Sequence, residues 1–161
     1  MICSRAGTGG RQVVAETARL AALAYLASHQ VMTLATVGTE GVWATAVFYA
    51  SRDFDLYFLS AGHTRHAQNF QYEPHIAAAI HEDYRDWPDI KGIQLEGDVV
   101  QLVGEEVERA VHLYHNRYPF LAQAAPQIQA ALARVNWYRL RPTRLYFVDN
   151  SQGLGHREEV L

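Results

Sequence analysis

Residues 59–70 read LSAGHTRHAQNF and gather Ser60, Thr64, Arg65 and His66 where a run of strand formers meets a polar, helix-like segment. A hydroxyl, a guanidinium and an imidazole at one such turn suit the binding of an anion. A helix beginning there exposes unpaired backbone N–H groups and carries partial positive charge. Thr64 is of the type that caps a helix by accepting from a backbone N–H. Arg65 offers a planar fork of donors for bidentate phosphate recognition, and His66 offers one donor more. Gly62 lets the backbone approach closely. Local chemistry leaves two readings open: a cradle for a phosphate dianion, or an ordinarily capped helix with Arg65 and His66 solvated.

The surrounding elements decide what such a turn can face. Val14, Ala18, Ala21, Ala22, Tyr25 and Leu26 fall at helical spacing, so a helix is expected over 13–28. VMTLATV, the turn GTEG and VWATAVFYA read as a hairpin. SRDFD turns the chain into a third strand, LYFLS, and these three strands are expected to form an antiparallel meander. The polar helix runs from about Thr64 to Glu73 and stops before Pro74. HIAAAIHE reads as a strand. In GIQLEGDVVQL, Ile93, Leu95 and Val99 alternate with Gln94, Glu96 and Asp98, and Gly97 marks a bulge or a close approach. A helix follows with a stripe of Val107, Ala110, Val111, Tyr114 and Tyr118. A shorter one near Pro126–Arg134 is expected to bury Ile128, Leu132 and Val135. WYRLRPTRLYFVDN is strand material in which Pro142 signals an edge or a bulge. About six strands and three or four helices, most strands joined by short turns, favour an α+β fold with a curved or barrel-like sheet.

The chain has 161 residues, 49% of them hydrophobic, and a formal net charge of −3. That length suits one domain, here 13–161 behind a flexible leader, 1–12. The charge balance offers no basic stripe for nucleic acid. AALAYLAS is far shorter than the roughly 20 apolar residues that span a bilayer, and Glu16 and Arg19 interrupt any signal-peptide frame. Neither a nucleic-acid nor a membrane partner is expected. The single cysteine, Cys3, has no internal disulfide partner, which fits a cytoplasmic protein. No HExxH motif or cysteine cluster supports a metal site.

The order hairpin, strand, S-x-x-x-T-R-H turn, short helix ending at EP, strand, loop and long strand resembles the pyridoxamine 5'-phosphate oxidase-like family of FMN-binding split barrels. The resemblance covers about Val31 to Val103, with an echo in the tail DNSQGLGHREE. It implies an antiparallel split β-barrel flanked by helices, and FMN as cofactor. In the family a hydroxyl residue ends the third strand, and a Ser/Thr-Arg/Lys pair grips the FMN phosphate. Ser60, Thr64 and Arg65 match that pattern, while His66 stands where many members carry lysine. The flavin ring is implied to lie along Ala46, Val47, Phe48 and Tyr49, with Leu59 across from it. Gln94 is the polar residue that would face the ring, or else a solvated strand residue. The resemblance further implies a homodimer with flavin sites at the subunit interface.

The true oxidases hold the substrate phosphate with a C-terminal arginine-histidine motif. Neither RLRPTRLYF nor GLGHREE matches it, so pyridoxine or pyridoxamine phosphate is not the expected substrate. His156 and Arg157 either approach a neighbouring subunit's flavin or form a polar tail. The expected function is an FMN-dependent oxidoreductase acting on a small molecule. No catalytic acid or base can be named, because a flavin carries the redox chemistry itself. The rivals are a haem- or deazaflavin-binding split barrel, and a flavin-binding sensor without turnover. Eight histidines keep haem in view, although His112 and His115 flank their helix's apolar stripe and read as surface.

Overall fold

The computed structural model of the chain describes residues 8–161. The first helix, α1, spans Thr8–Ser28, so residues 8–12 of the expected leader are helical. Gly9 and Gly10, poor helix formers, hid that start. The rest of the leader, with Cys3, lies outside the described residues. Then follow β1 (Val31–Gly38), β2 (Gly41–Phe48), β3 (Ala50–Arg52), β4 (Asp55–Ser60), α2 (Arg65–Tyr72), β5 (His75–His81) and β6 (Lys91–Gln101). After these come α3 (Glu105–Arg117), α4 (Pro126–Leu132), β7 (Asn136–Asp149) and β8 (Arg157–Glu159). Among the described residues no helix is long and apolar enough to cross a membrane.

The fold is α+β, a curled antiparallel sheet that makes a split barrel. Its strands run β2-β1-β5-β6-β7-β4-β3, with β8 added on β7. The short β3 and β8 raise the strand number from the expected six to eight. The meander expectation is corrected as well. β1 and β2 form the hairpin, with Val31 opposite Phe48, but β4 pairs with β3 and β7 instead of β2. The chain leaves one end of the sheet after Phe48 and enters the other at Ala50. Tyr49 makes the crossing. Its N–H donates to Gln30 O at 2.9 Å, and its buried ring sends the hydroxyl to Leu26 O at 2.9 Å. No Gly or Pro marks this break, so VWATAVFYA reads as one strand.

Pro142 sits inside β7, which is paired along β6. It is tolerated because the register shifts between Glu96 and Gly97, where Gly97 faces Pro142. A Cβ on Gly97 would collide with the Arg141 carbonyl, so the bulge requires glycine there. Of the two alternatives for Pro142, the bulge is the one realised.

Met32, Leu34, Phe58, Ile80, Ile93 and Leu140 fill the barrel, and α1 and α2 close it with Leu26 and Phe70. A second cluster lies under α3, where Ala110, Tyr114 and Tyr118 pack on Leu102 and Trp137. The α3 stripe thus lies where its spacing put it. α4 is different: Ile128 is 50% exposed, and Leu132 and Val135 are only partly buried. The two-turn helix sits over a shallow cavity of about 250 Å³ shared with Leu59, Leu121 and Trp137.

Candidate functional site

Strand alternation delivers Ser60. Leu56, Phe58 and Ser60 share the buried face of β4, so the hydroxyl enters the barrel end and not solvent. The chain then turns through Ala61–Thr64, where Thr64 N–H donates to Ala61 O at 3.1 Å. Gly62 passes so close to Asn136 that a Cβ would meet its amide nitrogen at 2.9 Å. Thr64 is the α2 N-cap in extended conformation, its hydroxyl accepting from Ala67 N–H. Ser60 Oγ lies 2.6 Å from His66 Nε2 and 3.0 Å from Thr64 Oγ1. Thr64 Oγ1 lies 3.2 Å from His66 Nε2, which closes the triangle.

His66 is 8% exposed, and burial pushes its pKa below the ordinary histidine value, so the neutral imidazole is favoured. Its Nε2 is turned inward, toward Ser60 and Thr64. One residue along a helix turns the side chain by about 100°, which aims Arg65 and His66 in different directions. The outward histidine at this turn is His63, which is exposed.

Arg65 lies across the end of the β1–β2 hairpin. Its Nη2 donates to Glu40 O at 2.8 Å, and its guanidinium sits 4.6 Å from the centre of the Trp43 ring. Its Nε is buried without a hydrogen-bond partner. One turn further along α2, Asn69 Nδ2 donates to Thr36 Oγ1 at 2.9 Å. Gly38 leaves the space that Asn69 fills. The outer mouth of the turn is therefore built by α2 and the hairpin together. Glu40, Trp43, Thr36 and Asn69 were missed from sequence. The available signal was the hairpin register about GTEG, which sets Trp43 opposite Thr36, together with the i, i+4 spacing of Arg65 and Asn69.

The other expected contacts lie elsewhere. Ala46 and Phe48 are exposed on the outer face of β2, Val47 points inward and is partly buried, and the Tyr49 side chain belongs to the core. Leu59 packs at the edge of the second cluster. Gln94 is exposed and accepts from Arg157 Nη1 at 3.4 Å, so the tail folds back over it as β8. Ala46 and Gln94 share one face, in a row through Thr33 and Ala79. Three strand spacings separate them, roughly 14 Å. Ser60, Thr64 and His66 thus come together, Arg65 stands at their mouth, and Gln94 is apart.

The histidines are spread. His75 Nδ1 lies 2.8 Å from Asp98 Oδ1, and this hydrogen bond raises the pKa of the imidazole. His75 borders an apolar groove of about 700 Å³ lined by Ala35, Val37, Val42, Ala44 and Ala77. His112 and His115 are exposed.

This architecture has counterparts of known structure. A heme binding protein from Mycobacterium smegmatis superposes with a TM-score of 0.69 at 23% identity, over 98% of this chain and 59% of that one. An FAD-binding protein from Mesorhizobium loti superposes with a TM-score of 0.60 at 16% identity, over 78% of this chain and 90% of that one. At such identities the likeness is one of fold. In sequence, the UPF0306 protein plu4501 of Photorhabdus laumondii is 31% identical over 135 residues, 83% of this chain and 88% of the relative. The pattern that defines the pyridoxamine 5'-phosphate oxidase family matches residues 19–149, and the chain, a split barrel, belongs to that family.

Proposed function

We propose that the chain binds FMN, with the phosphate at the N-terminus of α2, and serves as an oxidoreductase for a small molecule. The observation that carries this reading is Arg65, a guanidinium at a capped helix start with its Nε lacking an acceptor. A phosphate oxygen supplies what that donor lacks, and the helix end adds partial positive charge. Thr64 fixes the first turn, and the Ser60–His66 contact locks Thr64 from below. Bound FMN would supply hydride and electron transfer; the chain's part is to hold and orient it and to keep water from one side of the ring.

The same reading includes a cytoplasmic homodimer. The outer face of β2, β1 and β5 carries Ala44, Ala46, Ala35 and Ala77, flanked by exposed Val42 and Phe48. Small side chains leave a flat apolar surface against which a second copy can pack.

Arg65→Ala tests the proposal. Loss of a charge-assisted contact costs about 1.5–3 kcal/mol, so FMN affinity should fall roughly 10- to 150-fold. Unchanged affinity on titration removes Arg65 from the site.

A second reading, haem in place of flavin, draws on His75. Asp98 holds one ring nitrogen, which leaves Nε2 free as an axial ligand at the edge of an apolar groove. The absorption spectrum of the purified protein separates the two. Flavin bands support the first reading, and a Soret band abolished by His75→Ala supports the second.

A further inference from the structure

We propose that Glu40 is a resident competitor at the anion site, an internal carboxylate that occupies the reach of Arg65 until a phosphate displaces it. The inference rests on the phosphate reading of Arg65 and adds a regulator to that site. The hairpin turn offers the guanidinium three things at once: the Glu40 carbonyl at 2.8 Å, the Trp43 face at 4.6 Å and the Glu40 carboxylate at 3.7 Å from Nε. The carboxylate is too far to satisfy Nε, which stays buried without a partner. The contact is therefore attractive but incomplete.

Glu40 is free to yield. Its side chain is 78% exposed and stands in the two-residue link between β1 and β2. An anion approaching Arg65 meets the carboxylate twice, as a rival for the same fork of donors and as a like charge at short range. Both effects weaken the binding of a phosphate-bearing ligand and leave an uncharged ligand untouched. Glu40 thereby keeps the site exchangeable and holds Arg65 in place between ligands.

Glu40→Gln removes the charge, keeps the size, and lies where no packing depends on it. FMN and riboflavin, which differ by the phosphate, are the probes, each titrated against wild type, Glu40→Gln and Arg65→Ala. An exposed ion pair of this kind corresponds to about a two- to fivefold effect. FMN should bind about two- to fivefold tighter to Glu40→Gln, with riboflavin affinity unchanged. The gain should shrink in molar salt, where screening acts within about 3 Å. An unchanged or weaker FMN affinity, or an equal gain for riboflavin, overturns the role of Glu40. If Arg65→Ala still weakens FMN binding, the phosphate reading survives that outcome. If Arg65→Ala has no effect, or wild type binds neither flavin, both proposals fall together.

Discussion

The two sides of the turn at residues 60–66 follow opposite rules. On the inner side Ser60, Thr64 and His66 satisfy one another, and Phe70 packs edge-on against Phe58 and Tyr138. On the outer side Arg65 reaches across to the hairpin and leaves one donor unpartnered. Side chains that are adjacent in sequence are divided by helix rotation into a neutral, completed set facing the barrel and a charged, incomplete one facing the hairpin. Completed polar groups stabilise; incomplete ones are available to a ligand.

Substitutions can break this contrast. The largest effect is expected at Phe70. Its truncation to alanine should cost about 3–5 kcal/mol by removing aromatic contacts and leaving a cavity, read as a lower midpoint in chemical denaturation. Arg65→Ala should change the unfolding free energy by less than about 0.5 kcal/mol, while on the proposed function FMN affinity falls roughly 10- to 150-fold. A large stability loss at Arg65 would erase the distinction between the sides. Thr64→Ala should cost about 1 kcal/mol through the lost cap.

The smallest effect is a pH dependence. Burial holds His66 below its ordinary pKa, so the unfolded chain takes up a proton near pH 6.5 while the folded chain resists. That contribution is present in full above about pH 6.5 and is lost as pH falls through the lower, folded value. His75 acts in the opposite sense, because Asp98 raises it, but its exposure keeps the effect small. The thermal midpoint of wild type should therefore fall between pH 7 and pH 5. His66→Gln, which keeps a partner for Ser60, should fall less. Equal slopes would remove His66 from the balance.

How much of this could be read from the sequence depends on the period of each signal. Alternation in GIQLEGDVVQL placed Ile93, Leu95 and Val99 inward correctly, and Gly97 and Pro142 each carried a bulge as one of two alternatives before their pairing was seen. The Thr64 cap and the stop at Pro74 follow from local chemistry. What escaped is non-local. The crossing at Tyr49 has no turn residue, because its cause is a buried ring under α1. The inward rotation of His66 follows from the burial of α2, and a polar segment with no apolar stripe of obvious period concealed that face. Glu40 and Trp43 gain meaning only when the hairpin is laid beside α2.

The crossing at Tyr49 also bears on how the chain is made. β3 and β4 belong to the far end of the sheet, and β4 finds its second neighbour in β7, with Leu56 opposite Leu140. As synthesis proceeds, the hairpin of β1 and β2 can form at once, whereas Leu56 and Phe58 wait, apolar and half-paired, until β7 has left the ribosome. Long-range pairing of this kind is slow to nucleate, and an uncovered strand edge invites association with other chains. The last long strand is therefore the event that closes the barrel, and assembly of the turn at residues 60–66, whose Gly62 leans on Asn136 at the start of that strand, waits for β7.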